Sequence, residues 1–123
     1  MKAWIGKTIM AIGVLHTLVG IFAFRARLGD LAREGLVNTI GRSEERQFTF
    51  WFLICGIVLT ILGAAVNWVE RTGLPFPRFL GWAVFLVAST VVVVMPVSGA
   101  WLLLVPAVGA IHRSSVSRRS GRS

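Results

Sequence analysis

Apolar residues along this chain gather into four stretches, Ala3 to Phe24, Phe48 to Val69, Phe79 to Met95 and roughly Val97 to Ile111, with arginine-rich polar segments between them. A helix that crosses a bilayer needs about 20 apolar residues, because each adds about 1.5 Å to a path of about 30 Å. The first two stretches meet that length. The third and fourth are shorter, and MPVSG leaves only a tight turn between them, with Pro96 and Gly99 as breakers. The expected fold is all-α: an antiparallel four-helix transmembrane bundle. The alternative for the last two stretches is one long kinked span from Phe79 to about residue 100 with an interfacial tail.

The first polar segment has a pattern of its own. In RLGDLAREGLVNTIG, Leu28, Leu31, Leu36 and Ile40 recur at three- and four-residue spacing, while Asp30, Arg33 and Glu34 fall on the other side. That spacing predicts an interfacial amphipathic helix over Arg27 to Gly41, between spans 1 and 2, read as a connector capping the bundle rather than a lipid sensor. Ser43 precedes Glu44 and Glu45, an N-cap followed by first-turn carboxylates, and should start the second span. After His112 the chain reads RSSVSRRSGRS, which has no packing face. Residues 1–112 are therefore expected to form the membrane domain and residues 113–123 a disordered basic tail.

Composition narrows the class. The chain has 123 residues, of which 55% are hydrophobic and 15% charged, and its mean hydropathy is +0.76. It is too apolar for an ordinary soluble domain. The net charge of +8 comes from residues set between and after apolar runs, so anionic lipid headgroups are the expected partner and nucleic acid is not. With four spans, Lys2, Lys7, Arg71, Arg78, Arg113, Arg118, Arg119 and Arg122 lie on one side and Arg25, Arg27, Arg33, Arg42 and Arg46 on the other. Eight against five places both termini in the cytoplasm. The first stretch is too long for a secretory signal core, and RARLG is a poor cleavage site. Cys55 is the single cysteine, so no internal disulfide forms. Trp4, Trp68, Trp82 and Trp101 fall near span ends, as interface anchors do.

Candidate chemistry centres on His16, an ionisable group inside the first span. Such a group is costly in hydrocarbon and needs a partner or a purpose. Gly6, Gly13 and Gly20 recur every seven residues, and Gly56, Thr60, Gly63 and Asn67 make a similar stripe on the second span. Small residues let membrane helices approach closely. His16 should therefore face protein, in a polar node with Thr17, Thr60 and Thr90, donating to a threonine hydroxyl or to the Leu102 carbonyl that Pro106 frees. A structural, hydrogen-bonded histidine is preferred over a ligand, quinone or proton site. Haem ligation is disfavoured, because His112, the other histidine, should lie near the cytoplasmic face, too far along the axis to share an iron with His16. The spans so drawn contain no carboxylate, which removes metal ligand sets and an acid to orient a catalytic base. No catalytic, cofactor-binding or metal residue is assigned, and no cofactor is expected.

His16 with Gly20, LVNTIGR before the second span, FWFL within it and MPVSGAWLLLVPAVG at the end carry a resemblance. Over residues 4–111 the chain resembles an uncharacterised bacterial family of small four-span integral membrane proteins, a domain of unknown function. More loosely it is similar to DoxX-like membrane proteins, some of which are linked to redox roles. That resemblance implies a multi-pass protein of the bacterial inner membrane and transfers no catalytic residue. A small multidrug transporter is similar in size and span number, but such transporters carry a glutamate in the first span, where this chain has His16. The function expected is that of a non-enzymatic accessory subunit or small-ligand-binding membrane component, with a second copy of itself or another membrane protein as partner. The alternatives are a redox-linked, quinone-associated accessory protein and, behind it, a small transporter.

Overall fold

The computed structural model describes residues 2–35, 37–96 and 100–120, and among these it is all-helical. Five α-helices follow in order: α1 over Ile5–Ala23, α2 over Arg25–Glu34, α3 over Glu44–Thr72, α4 over Arg78–Val94 and α5 over Trp101–Ser120. A 3-10 turn, Ile40–Arg42, precedes α3.

Four of these helices coincide with the apolar stretches, and their ends follow local chemistry. Ser43 has extended backbone angles and its hydroxyl accepts from the Arg46 amide at 3.2 Å, with Glu44 and Glu45 in the first turn of α3. That is the N-cap expected from the sequence. At the other end Gly73 adopts the left-handed conformation, φ 71°, that ends helices at little cost to glycine. Two differences stand out. The amphipathic helix stops at Glu34 instead of reaching Gly41, because Gly35 and Asn38 both take positive φ, 87° and 62°. In place of a disordered tail, α5 runs on through Ser120. Ser114 is buried, and the hydroxyls of Ser114 and Ser115 both donate back to the Ile111 carbonyl. Residues 121–123 of the expected tail, and Val97 to Gly99 of the expected turn, lie outside the described residues.

Helix α1 packs chiefly on α3 and α4 on α5, and the two pairs join where α1 meets α5. Across the α1–α3 seam each glycine and its nearest neighbour opposite have numbers that total 73: Gly6 with Asn67, Met10 with Gly63, Gly13 with Thr60, Thr17 with Gly56, and Gly20 with Leu53. A constant total means an antiparallel pair in one unbroken register. Ile5, Ile9, Val66, Phe76 and Ala110 form the core cluster, where the start of α1 and the end of α3 meet the middle of α5.

Two helices, α1 and α3, are long and apolar enough to cross a membrane, while α4 and the Trp101–Val116 part of α5 are shorter apolar helices. Only 28% of the apolar stretch of α1 and 22% of that of α3 are buried. Large side chains stand exposed all along the helices, among them Phe22, Trp51, Ile61, Trp68, Phe79, Leu86, Val93 and Val105.

Candidate functional site

Two polar nodes interrupt the apolar packing. The first lies midway along the seam, and the sequence repeats there: GVLHT, residues 13–17, on α1 and GIVLT, residues 56–60, on α3. Thr17 donates to the Gly13 carbonyl and Thr60 to the Gly56 carbonyl, each at 2.9 Å, so each hydroxyl is satisfied within its own helix. Each threonine then seats on the other helix's glycine. A Cβ on Gly13 would come within 2.6 Å of the Thr60 amide nitrogen, and one on Gly56 would collide with the Thr17 hydroxyl. Real Cβ atoms do not approach that closely, so only glycine allows the helices this separation. The other glycines of the two stripes, Gly6, Gly20 and Gly63, are also buried, against Asn67, Leu53 with Phe52, and Met10.

His16 sits beside this crossing. Its Nε2 lies 3.1 Å from the Phe52 carbonyl oxygen. A carbonyl can only accept, so Nε2 carries the proton and donates. The imidazole also stacks on the Phe52 ring, with centroids 3.9 Å apart and planes 16° from parallel. The partner is therefore α3, and neither a threonine hydroxyl nor the Leu102 carbonyl. The reason is proximity: glycines at 13 and 20 bring α1 against α3, with Phe52 one turn from Gly56. Of the four residues expected to form one node, His16, Thr17 and Thr60 do lie along the α1–α3 seam. Thr90 does not join them; it is exposed on α4 and donates to the Leu86 carbonyl at 2.8 Å. A shallow groove of about 250 Å³ runs along the seam between Val14, Thr17, Leu18, Ile57, Thr60 and Ile61.

The second node was not foreseen. Glu70 lies in the last turn of α3, just past the stretch read as a span, and its side chain is fully buried. Its Oε2 accepts from the Gly6 amide at 2.8 Å and its Oε1 from the Ile5 amide at 3.3 Å. Helix α1 has no side-chain cap of its own, since its N-cap residue is Trp4. Glu70 supplies that cap from another helix, placing a negative charge where the α1 dipole is positive. Arg113 of α5 donates to the same Oε1. One carboxylate thus ties together α1, α3 and α5. A signal for it exists in the sequence: Gly56 and Gly63 recur at seven residues, and one more step of seven reaches Glu70, on the same buried stripe as Thr49. The Asn67 Oδ1, one turn earlier, is a buried oxygen with no hydrogen-bond partner.

Beside this node a cleft of about 460 Å³ opens between Glu70, Arg71, Gly73, Leu74, Pro75, Phe76 and Arg113. At the opposite end, α2 is tied to α3 by ion pairs of Arg46 with Glu34 at 2.8 Å and Arg27 with Glu45 at 3.3 Å. The Arg46 hydrogen bond and charge hold the Glu34 carboxyl below its ordinary value. Among the described residues, no three His, Cys, Asp or Glu side chains gather as a metal ligand set would.

The sequence model of a family described as "Family of unknown function (DUF6463)" matches residues 1–117, and the chain belongs to that family. No curated protein and no solved structure matches the chain.

Proposed function

We propose that this family member is a small multi-pass integral membrane protein, with four spans formed by α1, α3, α4 and α5 and both termini on the cytoplasmic side of a bacterial inner membrane. Its role is non-enzymatic, that of an accessory subunit or small-ligand-binding membrane component. The observation that carries the reading is the exposure of the helices: a core helix in a soluble protein hides its apolar residues, whereas α1 and α3 leave most of theirs uncovered. Lipid is the medium in which that surface costs nothing. The glycine–threonine crossing and the Glu70 node favour a structural role, since both sets of polar groups are satisfied within the fold. His16 is likewise occupied, by the Phe52 carbonyl and ring.

Gentle detergent extraction followed by mass spectrometry of the purified particle tests this. A partner membrane protein in fixed stoichiometry supports the subunit role. A quinone or haem retained instead would move the assignment to a redox accessory, and a turnover activity of the isolated chain would overturn the non-enzymatic reading.

A further inference from the structure

The acidic residues are unevenly placed. Asp30, Glu34, Glu44 and Glu45 share the α2 end of the molecule with five arginines, whereas Glu70 is the sole carboxylate at the other end, among eight lysines and arginines by sequence position. That carboxylate is buried and already engaged by Arg113 and two backbone amides. By sequence position, the segments on the side of the cleft therefore carry an excess of seven positive charges, against one for the segment between α1 and α3.

We infer that the cleft beside Glu70 is a site for one anionic phospholipid, its phosphate on Arg71 and Arg113 and its glycerol and first methylenes against Leu74, Pro75 and Phe76. The inference rests on the membrane reading above and adds a defined site to it. The lining suits an amphiphile, since it combines the arginines Arg71 and Arg113 with the apolar residues Leu74, Pro75 and Phe76. Arg71 is exposed and takes part in none of the ion pairs of the described residues, so its charge is available. Arg113 keeps a partly exposed side chain, 17%, and a guanidinium has donors to spare beyond the one given to Glu70. Basic pockets between helix ends at the cytoplasmic face are a recognised way to hold anionic headgroups. Free phosphate offers the same oxygens but has nothing to place against Leu74 and Phe76.

Native mass spectrometry of the detergent-solubilised full chain, titrated with phosphatidylglycerol, phosphatidylcholine or inorganic phosphate, tests the site. The expected result is one saturable phosphatidylglycerol adduct, bound about fivefold more weakly by Arg71→Gln, the factor for one lost charge near a lipid surface. Arg33→Gln, at the α2 end, should leave it unchanged. The double variant Glu70→Gln with Arg113→Gln, which removes the guanidinium without stranding a charged carboxylate, should weaken it further. Equal weakening by Arg71→Gln and Arg33→Gln would overturn the site in favour of diffuse charge attraction, and full competition by inorganic phosphate would overturn the lipid as its occupant. Alkali-resistant insertion into phosphatidylcholine vesicles, which needs no anionic headgroup, reports separately on whether the chain is membrane-integral.

Discussion

Replacing Glu70 by alanine removes three accepted hydrogen bonds at once, from the Ile5 amide, the Gly6 amide and Arg113. Loss of a helix cap costs about 0.5–2 kcal/mol. Breaking a buried ion pair costs about 3–5 kcal/mol when the remaining charge stays buried. Arg113, being partly exposed, can turn to water, so its share falls well below that range. The expected cost of Glu70→Ala is therefore about 3 kcal/mol in total. Arg113→Gln should cost as much or more, because the Glu70 side chain it abandons is fully buried. Glu70→Gln should cost less than Glu70→Ala, since an amide oxygen still accepts from α1. The double variant Glu70→Gln with Arg113→Gln should recover part of the Arg113→Gln loss, as a coupled pair must. Reversible unfolding in mixed micelles gives the free energies, and hydrogen exchange at Ile5 and Gly6 reports on the α1 cap. A Glu70→Ala protein within about 0.5 kcal/mol of the parent, the spread of neutral surface changes, with both amides still protected, would refute the three-helix tie.

Other consequences follow from the same geometry. Gly13→Leu should separate α1 from α3 and abolish the folded protein's cooperative melt, whereas Gly29→Ala, with open space around it, should be silent. His16→Leu should cost about 0.6–2 kcal/mol, the usual range for an intramembrane hydrogen bond, and His16→Gln or His16→Asn less; no stability change in any of the three would defeat the structural role given to His16. Glu34, its carboxyl lowered by Arg46, lends the α2–α3 contact stability that is present above the ordinary carboxyl range and lost as pH falls through the lowered value. Amide exchange of α2 against pH should show this loss in the parent and none in Glu34→Gln. Ser43→Ala should fray the first turn of α3 at a cost of about 1 kcal/mol, read from melting.

Much of this fold could be read from residue pattern alone because its strongest signals are local. The four apolar helices, the Ser43 cap and the small-residue stripes all follow from neighbours in sequence. What escaped depends on contacts between distant segments. Hydropathy ends the second span at Val69, yet α3 continues to Thr72 because Glu70 finds donors in α1 and α5, some 65 and 43 residues away. The same pairing holds Arg113, which helps the helix of α5 pass beyond its apolar part. The glycine stripe turns His16 toward protein, and it does meet α3, but its partner is a main-chain carbonyl, which no sequence pattern marks. The break at Gly35 and Asn38 is a matter of backbone sign, and periodicity ran past it because Leu36 and Ile40 keep the apolar spacing.

The membrane account is tested most directly by side-specific labelling of single cysteines in sealed vesicles, with Cys55 first replaced by serine. Cysteines at Gly29 in α2, at Leu74 between α3 and α4, and at Ser115 near the end of α5 sample both ends of the molecule, and all three positions are exposed. Four spans with cytoplasmic termini predict that an impermeant reagent labels Gly29→Cys only from the outer face and Leu74→Cys and Ser115→Cys only from the cytoplasmic face. Labelling of Gly29→Cys and Leu74→Cys from the same face would mean that α3 does not cross the bilayer, and would contradict the account at its centre.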